Sequence, residues 1–217
     1  DFLISLTTEV LDNYEVDGVQ GDDRLPAMPI EGGYDSVTVS IYKSENNGQN
    51  PPANFYDQGW KRWRADKLSS FLKRWRDSVK TRSENYILSV APSVYPWGLD
   101  NYLQDSKTWV DSSLIDNFIP QLYRTDIISY RFELGSALNY ISHSKRDIFF
   151  AGVLVKAGSY VISQQLFKET LAENRAKGVK CESLFFYEAL KATGGARGAT
   201  LRRLYSVPAT LPYRGDN

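Results

Sequence analysis

Histidine and cysteine are nearly absent: His143 and Cys181 stand alone among 217 residues. A single cysteine excludes an intramolecular disulfide and any multi-cysteine zinc site. A single histidine excludes most zinc hydrolase arrangements, which need two or three. A Ser-His-Asp triad would have to use His143, which sits in the polar segment Ser142-His143-Ser144-Lys145-Arg146 between two elements. An exposed loop histidine accounts for it more simply. No apolar run approaches the ~20 residues that span a bilayer, and the first residues do not read as a signal peptide. Excess charge is lacking too, with 26 basic against 26 acidic residues, so nothing resembles an electrostatic footprint for nucleic acid. The most basic stretch, Lys61 to Arg82, interleaves its charges with Trp, Leu and Phe, as a solvated helix face does. No Pro/Ser/Gly linker interrupts the chain, so one domain over residues 1–217 is the expectation. The chemistry left open uses carboxylates, tyrosines and arginines, with no cofactor and no metal.

Aromatics are plentiful, with 14 Tyr and 5 Trp in a chain that is 13% aromatic. Their flat apolar faces and polar tips suit sugar binding, and they suit an ordinary core equally well.

Helix and strand patterns alternate along the chain. A helix is expected over 2–13, then a short strand over 16–21 that ends at Asp22-Asp23. An irregular excursion runs from Arg24 to about Asn54, and loops of that length are often functional. The clearest helix covers 57–81, where Leu68, Phe71, Leu72, Trp75 and Val79 recur at 3–4 spacing. There follow a strand over 86–91, a loop from Pro92 to Leu99, a helical patch over 105–113 and a strand over 117–123. Then come a helix over 126–141, a strand over 148–155 and a helix over 160–177. A strand over 183–187 ends at Glu188, and a last helix runs from about Arg197 to Tyr205. The apolar strand runs suit parallel strands buried on both faces. A doubly wound sheet and a barrel both fit this alternation, and no glycine-rich nucleotide motif follows any strand. Polar residues recur at strand ends (Asp22, Asp23, Ser93, Gln121, Tyr123, Glu188), which favours a (β/α)₈ TIM-barrel arrangement with its site on that face.

The run Val16-Asp17-Gly18-Val19-Gln20-Gly21-Asp22-Asp23 resembles the V-D-G-I-x-x-D-D strand of the glycosyl-hydrolase-like family 10 proteins, bacterial (β/α)₈ barrels. Further segments resemble that family in order: Trp63-Arg64-Ala65-Asp66, Ser89-Val90-Ala91-Pro92, Trp109, Ile115-Asp116, Pro120-Gln121-Leu122-Tyr123, Phe185-Phe186-Tyr187-Glu188, and Pro208-Ala209 with Pro212. Two departures stand out, since Arg24-Leu25-Pro26 follows the aspartates where the family has an aromatic, and Gly21 stands where Phe is common. The resemblance implies roughly strands four to eight of a barrel. Its earlier strands would lie upstream, so pairing with a missing N-terminal half or a second chain is expected.

Glycoside hydrolysis normally needs two carboxyl groups, a proton-donating acid and a nucleophile or base. The resemblance makes Asp22 or Asp23 one of them, Asp22 first. Because the two are adjacent on an extended segment, their side chains diverge. Glu188 is the second candidate, with a salt bridge to Lys191 or Arg197 as its commoner fate. Substrate contacts are expected from Arg64, Tyr95, Trp97, Gln121, Tyr123 and Tyr187, with Arg64 able to hold a carboxylate bidentately. The expected function is a glycosidase acting on a bacterial envelope or extracellular polysaccharide, in an extracellular or periplasmic setting. A non-catalytic carbohydrate binder and a structural domain without a site are the alternatives.

Overall fold

The computed structural model describes residues 1–191 and 193–210, Thr193 by its backbone alone; Pro212 lies outside the described residues. It is a mixed α/β fold in two compact units, Asp1–Ile115 and Asp116 onward.

The first unit opens with helix α1 (Phe2–Asn13) and strand β1 (Gly18–Gly21). Next come helix α2 (Ser36–Glu45) and the long helix α3 (Gln58–Arg82). Strand β2 (Ile87–Val90) and short helices α4 (Trp97–Tyr102) and α5 (Ser106–Asp111) complete it. Strands β1 and β2 run parallel in the register Gly18↔Ile87 to Gly21↔Val90. Gly18 permits that approach, because a Cβ there would stand 2.0 Å from the Ile87 carbonyl oxygen. Helix α3 starts at Asp57, whose carboxylate accepts from the Trp60 amide at 2.9 Å. It buries Trp60, Ala65, Leu72, Trp75 and Val79, and basic Lys80 and Arg82 suit its C-terminal dipole. Trp75 of α3 donates to Thr7 Oγ1 at 2.7 Å, and Trp109 of α5 donates to Ser69 Oγ on α3 at 2.9 Å.

In the second unit strand β3 (Asn117–Phe118) precedes helix α6 (Ile127–Tyr140) and a 3-10 turn, His143–Ile148. Strand β4 (Phe150–Leu154) leads into a small antiparallel pair, β5 (Lys156–Ala157) and β6 (Tyr160–Val161). Helix α7 (Gln164–Ala176), strand β7 (Cys181–Phe185) and helices α8 (Glu188–Lys191) and α9 (Ala196–Leu204) follow. Strands β4 and β7 pair in parallel over all five residues of each. The segment of β3 joins β4 through single parallel bridges, Phe118↔Phe149 and Gln121↔Gly152. Asp126 and Ser163 cap α6 and α7, and buried Tyr130 ties these helices through a 2.7 Å bond to Asn174 Oδ1.

The expected portion of a (β/α)₈ TIM barrel, roughly strands four to eight with their helices, is not what forms: the sheets are open and do not make a barrel, and among the described residues β7 pairs with β4 alone and β1 with β2 alone. Several elements were also unforeseen, among them α2 and the β5–β6 pair. Helix α2 occupies the middle of the supposedly irregular excursion, started by Asp35, whose carboxylate accepts from the Val37 and Thr38 amides. The β5–β6 pair turns back over Gly158 and Ser159. No described helix is long and apolar enough to cross a membrane.

Two glycines in the second unit should respond oppositely to alanine. A Cβ at Gly152 would meet the Pro120 carbonyl oxygen at 2.5 Å, whereas one at Gly135, inside α6, meets nothing within 4 Å. Gly152→Ala should therefore lower unfolding free energy by roughly 1–3 kcal/mol, and Gly135→Ala should raise it by about 0.5–1 kcal/mol. Urea titrations of both variants check the pair of signs.

Candidate functional site

Ala91 donates to the Gly21 carbonyl at 3.0 Å, so β1 and β2 end together and release their loops side by side. Asp22 and Asp23 lie in the loop after β1, Asp22 exposed and Asp23 half-buried. The Asp23 carboxylate pairs with Arg24 at 2.8 Å. The Arg24 guanidinium lies 4.0 Å from the centroid of the Tyr102 ring, and Tyr102 meets Trp97 edge-on at 5.4 Å. Trp97 is 49% exposed. These contacts form one continuous surface: an indole, a phenol, a flat cation and a carboxylate. Tyr95 is half-buried in the β2 loop, two residues before Trp97.

Gln104 connects the two loops from below. It is buried, accepts from the Ser93 amide at 3.1 Å, and donates to the carbonyls of Asp23 at 2.8 Å and Pro26 at 3.3 Å. Sequence reasoning missed Gln104 and Tyr102. Tyr102 carried a weak signal as an aromatic in the segment that follows β2; Gln104 carried none.

Arg64 is 2% exposed, and its described hydrogen bonds go to main-chain carbonyls. It donates to Ile30, to Gly32 at 2.7 Å, to Phe55 at 2.7 Å and to Trp60 at 3.3 Å. Its guanidinium also lies 4.5 Å from the Trp60 ring centroid. Burial lowers its pKa from the ordinary arginine value, while Tyr34 and Glu31 act in the opposite direction. This arginine pins the excursion between β1 and α3 onto α3.

In the second unit Gln121 bridges to Gly152, and Tyr123 stacks on Phe185 at 5.6 Å. Phe186 meets Phe185 at 5.2 Å. Tyr187 is 66% exposed, with the Lys191 ammonium 4.9 Å from its ring centroid. Glu188 opens α8 and pairs with Lys156 of β5 at 2.6 Å, a partner other than the Lys191 or Arg197 considered from sequence. Asp22, Asp23, Arg64, Tyr95 and Trp97 thus belong to the first unit, and Gln121, Tyr123, Tyr187 and Glu188 to the second.

Residues 1–148 match the family described as Glycosyl hydrolase-like 10. The chain belongs to this family. No curated protein matches it. Among solved structures it is similar to the PgaB (BpsB) glycoside hydrolase domain from Bordetella bronchiseptica, with a TM-score of 0.73 and 13% identity. That likeness covers 96% of this chain and 62% of the other, so this member of the glycosyl hydrolase-like 10 family spans under two thirds of the domain it resembles. At such identity the likeness concerns the fold.

Arg64→Met should lower the unfolding free energy by roughly 2–4 kcal/mol, because buried loop carbonyls lose their donor. Arg64→Lys should recover only part of the loss, since one ammonium cannot reproduce the planar fork. Denaturant unfolding of the three proteins tests this ordering, and equal stability of all three would contradict it.

Proposed function

We propose that this chain is the carbohydrate-binding part of a protein acting at a bacterial envelope or extracellular polysaccharide, in an extracellular or periplasmic setting. The observation that carries the reading is the run Trp97–Tyr102–Arg24–Asp23, exposed at Trp97 and Arg24, beside the ends of β1 and β2. A sugar ring has a flat C–H face that stacks on aromatics and an equatorial rim of hydroxyls. Trp97 offers the stacking surface; Asp22 and Asp23 offer acceptors, and Arg24 offers donors. Membership of a glycosyl-hydrolase-like family supports a carbohydrate ligand.

Binding is preferred over hydrolysis because hydrolysis needs two carboxyl groups facing the scissile bond from opposite sides, roughly 5–9.5 Å apart. Asp22 and Asp23 are chain neighbours, and Asp23 is engaged by Arg24. Glu188 is engaged by Lys156. One observation favours the hydrolytic reading as second choice: among the described residues the exposed Asp22 carboxylate has no ion-pair partner, which leaves it available as a nucleophile or base.

Calorimetry with defined oligosaccharides from envelope and extracellular polysaccharides tests the first reading, and release of reducing ends tests the second. Trp97→Ala should weaken binding about tenfold, equivalent to ~1.4 kcal/mol, without unfolding the chain, because the indole is half exposed. Asp22→Asn should weaken binding by less. If reducing ends are released, Asp22→Asn should instead cut turnover ~10²-fold or more. Oligosaccharide affinity that is indifferent to Trp97→Ala would remove this surface from consideration.

A further inference from the structure

We infer that Gln104 is a positioning residue that sets the distance between the Asp22-Asp23 carboxylates and the Trp97 ring, holding the two loops as one binding unit. The inference rests on the carbohydrate-binding reading of that surface. Helix α4 ends at Leu103, which adopts a left-handed conformation with φ 58° and ψ 20°. A fully buried leucine rarely takes that conformation, which is strained and persists only where the surroundings enforce it. Its consequence is local and specific: the chain turns inward, and Gln104 enters the interior at 1% exposure.

There the amide side chain uses both ends. Its Oε1 accepts from the Ser93 amide, at the start of the loop carrying Tyr95 and Trp97. Its Nε2 donates to the carbonyls of Asp23 and Pro26, in the loop carrying the carboxylates. Space is reserved for this arrangement, since a Cβ at Gly98 would stand 3.3 Å from Gln104 Oε1 and 3.0 Å from the Ser93 carbonyl oxygen. The next residue anchors the turn from the other side. Asp105 caps α5 at the Thr108 amide and pairs with Arg62 of α3 at 2.7 Å, its own side chain 3% exposed. The turn is therefore fixed to the long helix while Gln104 reaches both loops. Among ordinary side chains only glutamine and asparagine present an acceptor and a two-proton donor in one planar group, and asparagine is shorter by one methylene.

Two substitutions separate the two ends. Gln104→Met keeps the length and removes both functions; Gln104→Glu keeps an acceptor for Ser93 and removes the donor to Asp23 and Pro26. Hydrogen exchange read by mass spectrometry needs no glycan. Exchange should rise in both loops, 22–26 and 93–97, in Gln104→Met, and in 22–26 alone in Gln104→Glu. Calorimetry then divides structure from positioning: a destabilised but correctly arranged site lowers the stoichiometry, whereas a misplaced one raises Kd at unchanged stoichiometry. We expect Kd to rise about tenfold in both variants, on the scale of one or two lost hydrogen bonds. Protection of both loops at the parent level in Gln104→Met, or unchanged Kd beside a glycan-binding parent, overturns the inference. A parent chain that binds no glycan removes the carbohydrate reading instead, and hydrogen exchange still decides whether Gln104 couples the loops.

Discussion

Buried carbonyls of irregular backbone must find donors, and in both units a buried arginine supplies them. The stretch between β1 and α3 has only α2 as regular structure, so much of its main chain lacks ladder partners. Arg64 collects Ile30, Gly32 and Phe55 onto α3. Arg197, 5% exposed on α9, does the same in the second unit, donating to Ile162 at the end of the β5–β6 pair and to Ala189 in α8. A guanidinium suits the task because its fixed fork reaches several acceptors and it remains charged even when desolvated. The hydrophobic cluster of Ile30, Ala65 and Leu103, with Met28, Phe55, Leu68 and Leu99 against it, forms around the segments that Arg64 gathers.

The same economy governs the candidate binding surface. Its residues sit in the loop after β1 and on the short helix α4 that follows β2, where no ladder can hold them. Side-chain contacts take over: Gln104 bonds to backbone from within, and the Asp23–Arg24 ion pair with Arg24 over Tyr102 holds from outside. The outer contacts are exposed and can exchange with ligand hydroxyls at little cost. The inner ones are buried, and breaking them would strand unsatisfied amides. A surface that is fixed underneath and exchangeable on top is suited to reversible binding of a hydroxyl-rich ligand.

Local structure was legible where one interaction decides it. The helices expected over 57–81 and 126–141 begin within a residue of those positions, each capped by an aspartate, Asp57 and Asp126. Helix α2 was not legible, because Val37, Thr38, Val39 and Ile41 are β-branched and weaken helix propensity. What sustains α2 is the Asp35 cap together with Tyr42, packed edge-on against Trp60 at 5.0 Å and Trp63 at 5.1 Å, contacts made with a distant helix. The barrel expectation failed for a related reason. Alternating strands and helices specify local βα units, but which strands pair into which sheet depends on distant segments meeting, and no local pattern encodes that. At the site, strand-end polar residues were readable from position alone. The carbonyl-collecting role of Arg64 was not, since periodicity places the residue on a helix without revealing which loop lies over it.

The choice between holding a glycan and cleaving it turns on position more than on pairing. The Asp23–Arg24 and Lys156–Glu188 pairs are largely exposed at their carboxylate or cation ends, and such pairs contribute about 0–1 kcal/mol each. A ligand that replaced those contacts could release either carboxylate, so ion pairing alone does not disqualify them. The constraint that matters is covalent: Asp22 and Asp23 share a peptide bond at the start of the turn after β1, where the Leu25 amide donates to the Asp22 carbonyl at 3.5 Å, so chain neighbours would have to flank the bond. A sugar rim needs only acceptors around its edge, and two adjacent carboxylates can serve different hydroxyls. A glycosidic bond needs two carboxyls aimed at one centre from opposite faces. The geometry of this loop therefore meets the requirement of binding before it meets that of hydrolysis.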